Sequence, residues 1–302
     1  MFNFCTLFNS HYLSRGLAMY RSLEAHSTQF HLYMYAFDDL SYEILSDLKL
    51  KHATIVSLAD FEDERLLNVK PTRSVGEYCW TCTPSIIQHA IESYKLEACT
   101  YLDADLYFFS DPSVLIEEMG DKSVLITEHR YTPKYDQSAT SGIYCVQFMT
   151  FKNDLNGMKV LNWWREACIN WCYARFEDGK FGDQKYLDDW PTRFEGIHVL
   201  KTLGGGVAPW NVQQYQFNPS NVEIVFYHFH NLQLLEQDKV ELGHYEISKA
   251  VLLAIYKPYL LTLQEVETEL LENFDGYSKD IVLSPKKWSW KEPIRSYKRR
   301  LK

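Results

Sequence analysis

Residues 101–112 read YLDADLYFFSDP, an apolar segment interrupted by Asp103 and Asp105. We predict an apolar strand over residues 99–109, in which the period of two places both carboxylates on one side near the carboxyl end. Two carboxylates among apolar residues are costly unless something compensates their charge. Oxygen ligands of this kind suit Mg²⁺ or Mn²⁺. The pattern therefore predicts a divalent metal site, with a solvated or loop-bonded pair as the alternative.

Strand and helix patterns alternate on the amino-terminal side of this segment, which predicts an α/β fold with a mostly parallel sheet covered on both faces. Ligands bind beyond the carboxyl ends of the strands in such sheets, where Asp103 and Asp105 would lie. The predicted strands span residues 2–8, 30–37, 53–58 and 123–127. The predicted helices begin at Ser14, span about 41–50, and span 84–94 with Pro84 in the first turn.

The carboxyl-terminal half has a different pattern, with longer helices and many aromatic residues. We predict one α/β domain over residues 1–235, a smaller helical part over 236–284, and a basic aromatic tail over 285–302. Thr262 and Glu265 form a capping-box pattern that predicts the start of the last helix. The other expected elements are a strand at 142–151, a helix at 158–175, a strand at 223–230, and helices at 245–256 and 263–273.

Three further groups of residues are candidates for the site. His228 and His230 fall on one face of the predicted strand and could supply a third metal ligand or satisfy buried hydrogen bonds. Asp183, followed by Gln184, could cap a helix or contact a polar ligand. The glycines at 204–206 permit close approach of a ligand, and Trp210 could stack on a sugar.

Composition and charge exclude several classes of protein. The 302 residues are 46% hydrophobic and carry a formal charge of −9, which argues against a disordered chain and against a nucleic-acid binder. Seven scattered cysteines indicate buried free thiols rather than a disulfide framework or a zinc site. Without a signal peptide or a long apolar run, we expect a cytoplasmic protein.

The tail over residues 285–302 reverses the charge of the rest of the chain. It holds eight Lys and Arg residues against Glu292, together with two tryptophans. Such a composition suits peripheral attachment to an anionic membrane surface at the inner membrane face. A solvated terminus is the alternative.

Together and in this order, the motifs resemble a GT-A-fold glycosyltransferase, over about residues 1–235. In particular, they resemble the retaining galactosyltransferase-like family that includes glycogenin and lipooligosaccharide galactosyltransferases. The motif around Asp103 and Asp105 is the most specific part of the resemblance. It implies that Asp103, Asp105 and His228 bind Mn²⁺ or Mg²⁺, with His230 as the alternative ligand.

The resemblance also implies roles for residues that the motifs alone do not assign. Thr6, Asn9 and Tyr12 would lie near the base and ribose of the donor, Asp183 would contact the donor sugar, and Gln184 would lie near the anomeric carbon. The chain departs from the family at several positions, which favours a neighbouring GT-A family. Trp80 and Cys145 stand where the family has arginine and asparagine, and the family's Lys-Pro-Trp is absent. Donor anchoring would then pass to Arg73.

The resulting expectation is metal-dependent transfer of a sugar from a nucleotide diphosphate donor, UDP-sugar above all, to a glycan or glycolipid acceptor. Cell-surface polysaccharide synthesis is the expected setting, and retention of configuration is expected from the resemblance alone. Two alternatives remain open: a sugar nucleotidyltransferase, and a catalytically silent protein that binds a nucleotide sugar or carbohydrate.

Overall fold

The structure is a computed structural model that describes residues 1–215, 223–236 and 239–282. The predicted tail at 285–302 lies outside the described residues, and its attachment to a membrane stays a prediction. Within the described part of the chain, no helix has both the length and the apolar character needed to cross a bilayer.

A seven-stranded sheet forms the centre of the molecule, with the strand order β3-β2-β1-β4-β7-β6-β8. Only β7 runs antiparallel to its neighbours in this sheet, which confirms the predicted mostly parallel α/β architecture. The strands are β1 (Phe2–Phe8), β2 (Phe30–Ala36), β3 (Ala53–Ser57), β4 (Ala98–Leu102), β5 (Leu106–Phe108), β6 (Val124–Glu128), β7 (Tyr144–Lys152), β8 (Ile197–Val199), β9 (Phe226–His228), β10 (Gln233–Leu235), β11 (Lys239–Glu241) and β12 (Ile281–Val282).

Helices cover both faces of the sheet. The helices are α1 (Leu13–His26), α2 (Asp39–Leu48), α3 (Leu58–Phe61), α4 (Glu64–Val69), α5 (Val75–Tyr94), α6 (Ser113–Glu117), α7 (Ser138–Ser141), α8 (Leu155–Asn170), α9 (Trp190–Arg193), α10 (Lys249–Val251) and α11 (Lys257–Asn273). Residues from α1, α2 and α11 share one apolar core with Phe4 and Phe8 of β1. Residues from α5 and α8 share the other with Cys5 and Leu7. Alternation along β1 thus divides its side chains between two cores.

Helix α5 begins about ten residues before its predicted start. Ser74 and Glu77 form a capping box, in which the Ser74 N–H donates to the Glu77 carboxylate at 2.8 Å. Pro84 lies inside the helix and cannot donate a hydrogen bond to the carbonyl of Trp80, four residues earlier. The prediction was wrong because Pro84 was given the role of a first-turn residue, whereas Ser74 supplies the start.

The predicted pair of carboxyl-terminal helices is a single helical segment from Lys249 to Asn273. A π-helical stretch, Leu252–Tyr256, joins α10 to α11 without a break. Thr262 does not cap a helix; its hydroxyl donates to the carbonyl of Pro258 from inside α11. A threonine that bonds back along the helix in this way gives the same sequence pattern as a capping residue.

The strand predicted over residues 99–109 is two strands in two different sheets. β4 ends at Leu102 and belongs to the central sheet, whereas β5 begins at Leu106 and pairs antiparallel with β9. The predicted strand at 223–230 is likewise reduced to β9, and α8 ends at Asn170 rather than at Arg175. These breaks matter because Asp103 and Asp105 lie in the turn between β4 and β5.

Candidate functional site: a carboxylate and histidine group

Asp103 and Asp105 lie where the chain leaves the central sheet. The Asp103 N–H donates to the carbonyl of Gln147 on β7 at 3.0 Å, and the Leu106 N–H closes a turn onto the Asp103 carbonyl. β4 is parallel to β1, so this turn lies at the edge where the carboxyl ends of β1 and β4 meet. That edge is where open α/β sheets bind ligands.

The pairing of β5 with β9 brings His228 to these carboxylates. Leu106 lies opposite His228 in the register, and the Phe229 N–H donates to the carbonyl of Asp105. His228 Nε2 is 3.2 Å from Asp105 Oδ1 and 3.7 Å from Asp103 Oδ2. One ligand atom from each residue lies within 4.8 Å of the other two. We call Asp103, Asp105 and His228 the carboxylate–histidine group.

Two neighbours fix the orientation of this group. His228 Nδ1 lies 2.8 Å from Gln147 Oε1, so the imidazole donates to that amide and directs Nε2 at the carboxylates. The Tyr101 hydroxyl donates to Asp103 Oδ1 at 2.8 Å. Gln147 and Tyr101 were not predicted, because an amide and a phenol inside apolar strands give no distinctive pattern. The only available signal was that a polar Gln147 interrupts the apolar residues of β7.

Charges within the group depend on each other. Burial raises the pKa of Asp103 to about 6, and Asp105 adds to this shift while His228 opposes it. Burial would also raise the pKa of Asp105, but the imidazolium of His228 and its hydrogen bond hold it below the usual value. Burial alone would lower the pKa of His228, whereas the Asp105 carboxylate raises it well above the usual value. The carboxylates thus favour the protonated form of His228, and the imidazolium in turn favours the ionised form of Asp105.

The donor atoms fit a divalent cation. Two carboxylates supply the hard oxygen ligands that Mg²⁺ and Mn²⁺ prefer, and a neutral imidazole is a common metal ligand. The Asp103 side chain keeps 27% of its surface exposed, so the group opens to solvent on one side. Within the described residues, no other group of three or more His, Cys, Asp and Glu side chains has this arrangement.

His230 does not join the carboxylate–histidine group. The centroid of its ring lies 5.8 Å from that of the His228 ring. Both imidazole rings pack in an edge-to-face geometry against the Trp210 ring, with centroids 5.3 Å apart. Burial lowers the pKa of His230 to about 4. The structure therefore brings His228, rather than His230, to the two carboxylates.

Trp210 is a packing residue and presents no open face to a sugar. It is 4% exposed, and its Nε1 donates to the carbonyl of His129. The glycines before it are needed by the protein itself, since a Cβ at Gly204 would lie 2.0 Å from the carbonyl oxygen of Glu223. Residues 204–210 were predicted to contact a ligand, but in the structure they pack inside the protein, with Trp210 beside His228.

Asp183 lies close to the group and does not cap a helix. The 3₁₀ turn that follows, Lys185–Asp189, receives no side-chain cap. Asp183 is 5% exposed, and burial, then the charge of Asp103, raises its pKa to about 8. Gln184 Nε2 donates to the carbonyl of Ser141 at 2.7 Å, which fixes the orientation of the amide.

The residues expected near the nucleotide follow β1. Thr6 is fully buried, with no partner for its hydroxyl among the described residues, and Asn9 is half-buried at the start of a 3₁₀ turn. Tyr12 is 42% exposed. The guanidinium carbon of Arg15 lies 4.6 Å from the centroid of the Tyr12 ring. Burial, and then the charge of Asp105, raises the pKa of Tyr12 to about 12.

Arg73 contacts residues at and just after the carboxyl end of α8. Its guanidinium donates to the carbonyl of Ile169 at 3.2 Å and lies 4.0 Å from the centroid of the Tyr173 ring. The carboxylate–histidine group is not among its contacts within the described residues. Its expected donor contact stays a prediction.

Comparison of the sequence with proteins of known sequence places the chain among close relatives. It is 30% identical over 297 residues to YfnD of Bacillus subtilis, an uncharacterized protein. The alignment covers 93% of this chain and 94% of YfnD. It is 32% identical over 298 residues to YfnF of the same organism, covering 92% of this chain and 98% of YfnF. The chain belongs to the family of YfnD and YfnF. No family model matches this member of the YfnD and YfnF family.

Solved structures show which fold this family member has. The galactosyltransferase LgtC, solved with donor and acceptor sugar analogs, matches with a TM-score of 0.51 and 10% identity, over 87% of this chain and 95% of LgtC. The glycosyltransferase GlyE of Streptococcus pneumoniae matches with a TM-score of 0.56 and 12% identity, over 90% of this chain and 63% of GlyE. The expected GT-A fold is confirmed.

Proposed function

We propose that the chain is a metal-dependent glycosyltransferase that moves a sugar from a nucleotide diphosphate to a hydroxyl of a glycan or glycolipid. The carboxylate–histidine group is the observation that supports this proposal most directly. It lies at the ligand-binding edge of a GT-A sheet, and its two carboxylates and imidazole match the ligands of Mn²⁺ or Mg²⁺. The fold alone is compatible with several activities, so the argument depends on this group.

In the proposed site, Asp103, Asp105 and His228 hold the cation, and Gln147 and Tyr101 orient these ligands. When bound, the cation would supply a Lewis acid that offsets the charge on the leaving diphosphate. Both carboxylates lie close to the imidazole Nε2, so the three side chains would present their ligand atoms to the same cation. His230 stays outside the ligand set and packs on Trp210.

The donor is proposed to lie along the carboxyl ends of β1 and β4, with UDP-sugar as the expected class. Thr6, Asn9 and Tyr12 would contact the base and ribose, and Arg73 would assist in anchoring the donor. Support for this placement comes from Tyr12, because the charge of Asp105 contributes to the raised pKa of the Tyr12 hydroxyl.

The sugar of the donor is proposed to lie against Asp183 and Gln184. Asp183 is close enough to Asp103 for the charge of one carboxyl to shift the pKa of the other. Gln184 is held by its hydrogen bond to Ser141, so its amide is oriented before a substrate binds. In a retaining reaction at one face of the sugar, the leaving phosphate would accept the proton of the acceptor hydroxyl. Cell-surface polysaccharide synthesis is the proposed setting.

A panel of nucleotide sugars tests this function. Thermal unfolding with and without Mn²⁺ should identify a donor that stabilises the protein only when the metal is present. Turnover of that donor should fall by about a hundredfold or more in Asp105→Asn, since several kcal/mol of charge stabilisation depend on the metal. Asp121→Asn is the matched control, because Asp121 is an exposed aspartate in the turn before β6 and is not a member of the group.

The outcomes separate the three candidate functions. Full turnover in Asp105→Asn would contradict the proposed site. Synthesis of the nucleotide sugar from a nucleoside triphosphate and a sugar 1-phosphate would identify a nucleotidyltransferase instead. Metal-dependent binding of the donor without hydrolysis or transfer would identify a silent binding protein.

A further inference from the structure

Trp80 is an exposed aromatic side chain beside Asp183. It lies on α5, and 36% of its surface is exposed, whereas Trp164 and Trp190 are fully buried. The ring of Phe181 lies 6.4 Å from that of Trp80, centroid to centroid. The Trp80 ring also covers Gly182, where a Cβ would lie 3.4 Å from Trp80 Cε3. We call Trp80 and Phe181 the aromatic platform.

The chain bend at Gly182 connects the aromatic platform to Asp183. Gly182 has a φ of +52°, so the chain bends sharply between Phe181 and Asp183. Burial, and then the charge of Asp103, raises the pKa of Asp183. The aromatic platform therefore adjoins a buried carboxyl that interacts with the carboxylate–histidine group.

We propose that the aromatic platform binds a neutral hexose ring of the acceptor by stacking. This inference rests on the proposed function and names the acceptor class for the same site. The face of a tryptophan ring is a large apolar surface that matches the C–H face of a pyranose. The position of the platform suits an acceptor, because Asp183, which directly follows Gly182, is itself proposed to contact the donor sugar.

The charges around the aromatic platform favour a neutral acceptor over an anionic one. On the loop that carries Phe181, Arg175 pairs with Glu177 at 2.6 Å, and Lys185 pairs with Asp188 at 2.7 Å. Arg73 lies on the ring of Tyr173. The Nζ of Lys180, which precedes Phe181, lies 5.1 Å from the centroid of the Trp171 ring. A phosphate or carboxylate on the acceptor would have to compete with one of these contacts to find a cation. A neutral sugar needs no such exchange.

Three variants test the proposal: Trp80→Ala, Trp80→Phe and the control Phe176→Ala. Phe176 lies on the same loop and is 51% exposed. The probes are the neutral methyl β-glucoside and methyl β-galactoside, with the anionic methyl β-glucuronide for comparison. Two rates are measured with the donor found in the panel: transfer to each glycoside, and hydrolysis of the donor by water.

We expect Trp80→Ala to raise KM for a neutral glycoside about tenfold, which corresponds to the loss of one stacking contact. The KM for the donor and the rate of donor hydrolysis should change by less than about twofold, because the donor is proposed to lie along the carboxyl ends of β1 and β4 rather than on the platform. Trp80→Phe should keep most of the affinity for the acceptor, and Phe176→Ala should behave as the wild type.

Several results would overturn the inference. An unchanged acceptor KM in Trp80→Ala, a raised KM for the donor instead, or a preference of the wild type for the glucuronide would each do so. Saturation-transfer NMR with the same glycosides gives a second readout that needs no turnover. If the wild type turns over no donor, the proposed function fails; equal NMR signals from wild type and Trp80→Ala would reject the platform separately.

Discussion

Replacing Gln147 by leucine should weaken the binding of Mn²⁺ about 10- to 100-fold and leave the fold intact. The Gln147 side chain is fully buried, and its Oε1 accepts from His228 Nδ1 at 2.8 Å. This bond leaves Nε2 directed at Asp103 and Asp105. Loss of such a partner behind a metal ligand typically costs 10- to 100-fold in affinity, or about 1.4–2.7 kcal/mol.

The free energy of unfolding without metal should change much less. The lost hydrogen bond would cost about 1 kcal/mol, and an unpaired imidazole N–H somewhat more. In return, leucine removes the Gln147 Nε2, which is buried without a partner among the described residues. A buried unpaired amide donor costs about 1–3 kcal/mol. Because these contributions oppose each other, we expect a net change below about 1 kcal/mol.

Electron paramagnetic resonance of free Mn²⁺ measures the affinity, and urea unfolding in a chelator measures stability. Thr150→Val is the matched control: Thr150 is buried on the same strand and bonds the Thr100 hydroxyl at 2.8 Å, away from His228. Wild-type affinity in Gln147→Leu would refute the role of His228 as an oriented ligand. Equal weakening in Thr150→Val would show that the effect reflects general loosening of β7.

Glu118→Gln should destabilise the fold by about 1–2 kcal/mol at neutral pH. Burial alone would raise the pKa of the Glu118 carboxyl. Hydrogen bonds from Thr202, the Lys201 backbone and His198 outweigh burial and lower this pKa to about 2. This stabilisation is complete above the ordinary carboxyl pKa of about 4.3 and is lost as pH falls toward 2, so the urea midpoints of wild type and variant should converge in acid. Gly204→Ala should cost about 1–3 kcal/mol or prevent folding, since its Cβ would overlap the Glu223 carbonyl.

Each of these two predictions has its own control. A constant difference between wild type and Glu118→Gln across the acid range would show that the carboxylate charge is not the cause. For Gly204, the control is Gly76→Ala, where a Cβ meets nothing within 4 Å and the helix α5 gains propensity. A similar loss of stability in both alanine variants, seen by thermal unfolding, would contradict the argument from the Glu223 contact.

Local sequence patterns predict the elements of the amino-terminal half well and the site only in part. The apolar runs at 2–8 and 30–37 need no distant partner to be recognised as strands, and Asp103 and Asp105 are conspicuous among apolar residues. The start of α5 was missed because Pro84 is a stronger local signal than the capping box of Ser74. The role of Trp210 was missed because exposure depends on tertiary packing that no spacing reveals.

The ligand set depends on a long-range pairing. His228 is more than a hundred residues from Asp105, and only the pairing of β5 with β9 joins them. The strand pattern alone left His228 and His230 equivalent, since both fall on one face of a longer predicted strand, whereas the family resemblance favoured His228. The structure separates them because β9 ends at His228 and the chain turns before His230.

The carboxyl-terminal helix sets the face of β9 that meets the carboxylates. Tyr227 and Phe229 pack on this helix: the Tyr227 hydroxyl lies 3.1 Å from that of Tyr256, and the Phe229 ring stacks on Tyr259 with centroids 3.8 Å apart. Because successive side chains alternate, burying these two rings turns His228 to the opposite face. A slip of one residue would bury the imidazole against the tyrosines and remove it from Asp105. The helix at 249–273 therefore belongs to the construction of the proposed metal site, although none of its residues is a candidate ligand.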